Sequence, residues 1–380
     1  MTSLRRENTS REKENGVPLS SFDWRLAAVM LLLLCIGLLM VFSASGAIAE
    51  RLYDDKYLFF KRQCLYAAIG GIALIITANL PRKLVLNLQY PLLFGVIFLL
   101  LLTLTPLGLK VNGASRWLAV GPFSIQPLEF AKPALAIYLA YFMSTKQQYL
   151  GTFTRGVLPP FLVTLLLCSL LLCQPDFGGA FTLVMILFAM CLVGGTHFIY
   201  LFFAITAGFG AAYMLVINSP YRMRRLLAFI DPFKDMQDTG YQLVQSLYAL
   251  GSGGFFGVGL GGGAQKMLYL PEAHTDFIMA VVGEELGFFG ISIIMALFFI
   301  FFLRCYKIIV GQQDLHARLF AFAVALVLGL GAMQNLAVVL GMVPPKGVAM
   351  PFMSYGGSCL VSSMICVGLL LNFSRTVRQS

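Results

Sequence analysis

The sequence predicts an all-α, polytopic membrane protein of about ten transmembrane helices, with one long extracytoplasmic loop before the eighth. Composition is the first reason: 59% of residues are hydrophobic and 12% are charged, against about a quarter charged in soluble domains. The second is run length, because apolar stretches close to the ~20 residues needed to cross ~30 Å of hydrocarbon recur along the whole chain. The third is periodicity. Alternation is weak and the runs are long, which excludes a membrane β-barrel of roughly ten-residue strands with a period of two.

Ten runs carry the prediction: 24–44, 62–79, 88–106, 127–144, 157–173, 178–194, 197–217, 276–303, 318–342 and 356–373. Residues 1–22 mix both charge signs and read as a cytoplasmic tail, without the layout of a cleaved leader. A single membrane domain then covers 23–374, with the long loop at 218–275, and 375–380 forms a second cytoplasmic tail. With the amino terminus inside, 14 cations lie inside and 12 outside. Five of the 12 (Arg222, Arg224, Arg225, Lys234, Lys266) fall in the long loop, where the positive-inside rule is weakest, and without them the ratio is 14 to 7. The cations left outside point to an anionic ligand on that face.

The eight cysteines show no metal-ligand spacing and read as small core residues without a disulfide framework. The net charge of +10 is spread over many loops. That suits a membrane surface and an acidic ligand rather than nucleic acid. No Walker motif is present, so nothing suggests ATP-driven transport.

Several polar residues fall at or near membrane depth. Glu129 and Lys132, three apart on the fourth run, share a helix face. They serve either as a neutralised packing pair or as the lining of a cavity. Arg116 stands beside an interfacial aromatic in Asn112-Gly113-Ala114-Ser115-Arg116-Trp117. Asp176, in Gln174-Pro175-Asp176-Phe177-Gly178-Gly179, either caps the next helix or joins a site.

The long loop has internal organisation. Tyr221-Arg222-Met223-Arg224-Arg225-Leu226 is a basic cluster suited to phosphate or head groups, or a plain charged turn. Residues 241–250, containing Gln245 and Ser246, read as an amphipathic helix lying along the interface. Eight glycines among the 13 residues 251–263 permit positive φ and close backbone approach to a ligand. No βαβ pattern surrounds them, so they are not a nucleotide fingerprint.

The loop closes with Gln265-Lys266-Met267-Leu268-Tyr269-Leu270-Pro271-Glu272-Ala273-His274-Thr275-Asp276-Phe277. A carboxylate where the chain re-enters the bilayer costs desolvation and needs a local reason. Thr275 or Asp276 could cap the helix. Alternatively, low dielectric around Asp276 raises its pKa toward the range of a general base, opposed by the helix N-terminus and nearby cations. Glu285, nine residues on, points about opposite to Asp276 on the same helix, so it and Glu284 are expected to pair with other spans. The last outer loop presents Lys346, a candidate phosphate contact, and leads through Ser354 to Gly356-Gly357-Ser358.

Taken together these motifs resemble the SEDS family (shape, elongation, division and sporulation), in its division-type branch. The resemblance runs from Phe59-Phe60-Lys61-Arg62-Gln63 and Ser115-Arg116-Trp117 through Gln126-Pro127-Leu128-Glu129-Phe130-Ala131-Lys132 and Gln174-Pro175-Asp176. It continues with Gly240-Tyr241-Gln242, the glycine run, Tyr269 to Gly287 and Pro344 to Ser358. Gly263, Pro345 and Cys359 depart from the usual family residues. The resemblance implies a peptidoglycan glycosyltransferase that polymerises lipid II at the outer face of the cytoplasmic membrane, at the division septum. Asp276 matches the family's catalytic acid, as general base of an inverting transfer that releases undecaprenyl diphosphate. Arg116, Glu129, Lys132, Asp176, Arg222, Arg224, Arg225, Gln245, Ser246, Lys266, Glu272, His274, Thr275, Lys346 and Ser354 are the expected substrate contacts. A divalent cation (Mg2+ or Mn2+) is the expected cofactor. The expected partners are lipid II, the nascent glycan strand, a class B penicillin-binding protein and other divisome membrane proteins. The competing readings are a lipid II flippase, an elongation-type polymerase and a non-enzymatic scaffold for the partner synthase.

Overall fold

A computed structural model describes residues 22–111, 114–121, 123–236, 240–263 and 270–375. The two expected tails lie outside the described residues except for Phe22 and Arg375. Helices occupy all ten apolar runs: α1 (Trp24–Tyr53), α2 (Leu58–Asn79), a short α3 (Arg82–Leu86), α4 (Gln89–Thr103), α5 (Pro127–Thr145), α6 (Leu158–Cys173), α7 (Phe177–Gly194), α8 (Phe198–Ile217), α11 (Ile278–Val310), α12 (Leu315–Val339) and α13 (Gly357–Ser374). The 218–275 region adds α9 (Pro220–Ile230) and α10 (Tyr241–Gly253). Seven of these are long and apolar enough to cross a membrane: α1, α2, α6 with its preceding turn, α7, α11, α12 and α13. Helix α4 and the first part of α8 are apolar but shorter, and α5 carries the Glu129–Lys132 pair. The chain is an all-α, multi-pass membrane protein in architecture.

Helix α13 packs along α2, α12 along α5, and α11 against both α1 and α12, which makes α12 and α13 the centre of the bundle. Polar clamps fix one end. Asp23 caps α1 by accepting from the amides of Arg25 and Leu26 and is gripped by Arg304 at 2.6 and 2.9 Å. Asn372 donates to the carbonyls of Ala78 and Leu80 where α2 ends. The opposite end carries the Asp276 turn, the start of α13 and the approach to α5.

One element departs from the all-α expectation. Residues 108–125 form a small antiparallel sheet, β1 (Gly108–Val111), β2 (Ala114–Val120) and β3 (Phe123–Ile125), in that order. Leu109 pairs with Trp117 and Leu118 with Ile125. The Asn-Gly dipeptide between β1 and β2 is a strong short hairpin signal, and Gly121 turns the chain between β2 and β3 at φ 59. The sheet folds over the α4–α5 junction and presents Arg116.

The glycine-rich run also has a different role from the one expected. Residues 254–259 close on α11, while Gly254, Gly257, Gly259 and Gly261 take the expected positive φ. Helix α11 breaks at Gly287 (φ 67, ψ −165). The carbonyls of Glu284 and Glu285 accept from Val258 and Gly259, and the amides of Phe288 and Phe289 donate to Gly254 and Phe255. Four backbone groups beside the break therefore find partners in the glycine segment, which apolar surroundings require. A side chain at Gly257 (φ 79) or Gly287 would collide with the facing backbone. Helix α10 is amphipathic, as expected. It buries Leu243, Val244, Ser246, Ala249 and Gly253 against α11 and α12.

Candidate active site

The turn ahead of α11 is wound around one carbonyl. Glu272, in the left-handed region at φ 57, accepts at its backbone oxygen from the amides of Thr275, Asp276 and Phe277 at 3.1 to 3.3 Å. The Thr275 hydroxyl donates to the Glu272 carboxylate at 2.8 Å. Helix α11 begins with Phe277 at its N-cap and no capping side chain. Asp276 therefore does not cap the helix, and neither does Thr275. The costly carboxylate is left for another purpose.

Asp276 is half-buried. Burial, reinforced by the carboxylates of Glu272 and Glu129, pushes its carboxyl up from the ordinary 3.8 to about 7. The expected opposition from the helix end and cations is the weaker influence. One oxygen, Oδ2, lies 3.0 Å from where a Cβ on Gly347 would stand, so glycine there leaves the carboxylate room. Gly347 itself is exposed, and Asp276 beside it keeps partial exposure.

Around this acid the fold gathers much of the expected set. Glu129 and Lys132 on α5 form an ion pair at 2.6 Å, and both line a small cavity with Gly331, Ala349, Pro351, Cys359, Ser362, Ser363 and Cys366. Both readings of that pair hold at once. Ser362 fixes the Glu129 backbone through a 2.7 Å hydrogen bond. Asp176 caps α7, accepting from the Gly179 amide at 3.0 Å, and its charge also acts on Lys346. Lys346 is half-buried with its ammonium 4.2 Å from the Phe181 ring centre. Burial pulls its pKa down to about 8, and Asp176 opposes that fall. Arg116 donates to the Pro175 carbonyl, so two cations flank the Pro175–Asp176 corner.

His274 joins Phe59 and Tyr355 in an aromatic cluster with centroids 4.9 to 5.5 Å apart. Burial lowers its pKa, with Glu272 opposing. The Tyr355 amide donates to the His274 carbonyl at 2.8 Å. Other expected contacts are used internally. The Ser354 hydroxyl accepts from the Met350 amide, and Ser246 is fully buried and donates to the Val339 carbonyl. Ser246 is therefore a packing residue of α10, which corrects its assignment as a substrate contact. Gln245 is half-buried on the same helix. Arg222, Arg224 and Arg225 stand on α9; of their side chains only that of Arg224 is described, and it is exposed. Lys266 lies outside the described residues.

Sequence reasoning missed Asn335 and Gly347. Asn335 is fully buried on α12 and donates to the Asp276 carbonyl in the turn ahead of α11. Its only signal was the polar pair Gln334-Asn335 inside an apolar run.

Comparisons with known proteins agree with this arrangement. A family model described as "Cell cycle protein", covering FtsW, RodA and SpoVE, matches residues 23–379. A probable peptidoglycan glycosyltransferase FtsW of Trichlorobacter lovleyi is 42% identical over 94% of both chains. Stage V sporulation protein E of Bacillus subtilis is 40% identical over 94% of this chain and 98% of its own. Among solved structures, a chain from a peptidoglycan synthase complex that coordinates polymerization and crosslinking superposes with a TM-score of 0.80. It is 28% identical and covers 95% of this chain and 99% of that one. Rod shape determining protein RodA of Thermus thermophilus superposes at 0.68 with 28% identity and the same coverage. With the match spanning nearly its whole length, this chain belongs to the SEDS family of FtsW, RodA and SpoVE, on its FtsW-like side.

Proposed function

We propose that this protein is a division-type peptidoglycan glycosyltransferase, polymerising lipid II with Asp276 as general base. The observation that carries the reading is Asp276 itself. It is a non-capping, half-buried carboxyl in the turn ahead of α11, raised toward neutrality by burial and two neighbouring acids. A base with a pKa near the working pH combines a useful ionised fraction with real proton affinity.

In the reaction, the 4-hydroxyl oxygen of the incoming lipid II bonds to the anomeric carbon of the lipid-linked chain. The proton of that hydroxyl passes to the Asp276 carboxylate. The bond from the anomeric carbon to the diphosphate oxygen breaks, and its electron pair leaves with undecaprenyl diphosphate. Attack opposite the leaving group inverts the centre, so one base suffices and no covalent enzyme intermediate forms. Lys346 and Arg116, flanking the Pro175–Asp176 corner, would bind the diphosphate as charge accumulates on it. The Glu129–Lys132 cavity would line the same site. Among the described residues no group of three or more His, Cys, Asp or Glu could hold a metal ion. A divalent cation would therefore be carried chiefly by the substrate's phosphates, and no step here runs through one.

The reading places the site on the extracytoplasmic face of the inner membrane, at the septum, with both termini cytoplasmic. The positive-inside count supports this orientation. A class B penicillin-binding protein is the partner that would cross-link the product, alongside other divisome membrane proteins. The test is purified protein, mixed with that partner and labelled lipid II. Glycan polymer that disappears with Asp276→Ala supports the base, and polymer that persists rejects it. Lipid II translocation in liposomes without polymer would favour a flippase.

A further inference from the structure

Asn335 on α12 spends both protons of its amide on two separate backbone segments. Nδ2 donates to the carbonyl of Asp276 at 2.8 Å and to the carbonyl of Val348 at 2.8 Å. Only the NH2 end of the amide can meet two carbonyls, so its orientation is fixed. The residue is fully buried, and its Oδ1 has no partner. Leaving a buried acceptor unmatched has a cost that an apolar residue of similar size would avoid. Leucine would avoid that cost but would take the Asn335 donor away from both carbonyls.

The two carbonyls belong to two strips of chain that approach each other at Asp276 and Gly347. One is the turn carrying Asp276. The other carries Lys346 and Gly347, and Gly347 is the residue whose Cβ position lies 3.0 Å from Asp276 Oδ2. One side chain anchored in the middle of the bundle therefore sets the separation of the proton acceptor from the strip bearing the cation.

We propose that Asn335 is a positioning residue of the transferase, holding the Asp276 turn and the Lys346–Val348 strip in register so that base and leaving-group cation act on one substrate. The proposal rests on the polymerase reading above. Asn335 touches neither substrate nor reacting atoms and acts through Asp276 and Lys346.

The charged groups facing Asp276 are Glu272 in its own turn and Glu129 on α5. Helix α12 offers it the neutral Asn335, the 341–356 loop offers Gly347, and the charge of Lys346 acts on Asp176 instead. When the clamp is lost, the turn relaxes toward solvent and away from the two acids. The acid limb of the kcat/KM profile then moves to lower pH, a change that loss of packing alone does not produce.

The experiment uses the full-length protein with its partner and labelled lipid II. Asn335→Leu is expected to lower kcat by on the order of a hundredfold, the scale of an ångström-sized misplacement. KM should change little, and the acid limb should shift downward. Gly347→Ala, which crowds Asp276 from the other side while leaving Asn335 intact, should also lower kcat. The double variant should lose less than the product of the two single losses, because both act on one separation. Wild-type kcat and pH profile in Asn335→Leu, or strictly multiplicative losses, would overturn the inference. If Asn335→Leu does not accumulate in the membrane, Asn335→Ser, which has one donor for the two carbonyls, carries the test, and a wild-type kcat and pH profile there overturn the inference. Polymer made by Asp276→Ala would instead sink the polymerase reading, so the two failures are distinct.

Discussion

Replacing Asp276 with asparagine should abolish polymerisation and stabilise the fold above neutral pH. A carboxyl whose folded-state pKa exceeds its unfolded value favours folding when protonated. That stability is fully present below 3.8 and is lost as pH rises to about 7, where the folded group ionises. The interval from 3.8 to about 7, at 1.36 kcal/mol per pH unit, sets an upper figure of about 4 kcal/mol. Asparagine keeps the shape, carries no charge and avoids this cost. In detergent, thermal melts of the two proteins at pH 8 should differ by on the order of 5 °C, with the variant higher. The gap should close as pH falls toward 4. Polymer synthesis in the same preparations should be absent for the variant at every pH. The reasoning is refuted if the variant melts with or below the wild type at pH 8, or if the difference does not vary with pH.

Lys346, drawn down to about 8 by burial, should lose its charge above that pH, so KM for lipid II rises there. With Asp276 active only when ionised, kcat/KM should peak between about pH 7 and 8, and Lys346→Met should erase the alkaline limb. Removing one partner of the buried Glu129–Lys132 pair by Lys132→Met leaves an uncompensated carboxylate and should cost about 3–5 kcal/mol. The double variant Glu129→Gln with Lys132→Met should recover most of the folded yield seen by size-exclusion chromatography. Gly287→Ala, which forces a side chain into positive φ against the glycine segment, should lower Tm and open the 254–259 backbone to limited proteolysis. An unchanged melt would show that this backbone exchange is dispensable.

The ten apolar runs were legible because crossing hydrocarbon imposes length and composition locally. Each helix of the bundle sits where its run predicted. The run at 24–44 was short only at its far end, since α1 continues to Tyr53. The unusual placing of Asp276 was legible too, because an acid at a bilayer edge is conspicuous whatever surrounds it. Whether it capped a helix, and whether burial or nearby charge governed its proton, were not. Those depend on where the Glu272 carbonyl points and on how near Glu129 comes from a span more than a hundred residues earlier.

What the sequence determined by itself was the class of molecule, the place of its helices and the presence of an acid where the chain re-enters the bilayer. Periodicity, cost of transfer and motif act within a few residues of each position. The tertiary structure alone decided which strips of chain meet. It turned the glycine run from a presumed ligand cradle into the backbone that completes a broken α11, and it made Ser246 a packing residue. It brought Asn335 under the Asp276 turn. A hydrogen bond between residues 59 positions apart leaves no periodic trace in a sequence, because it is set by how α11 and α12 pack.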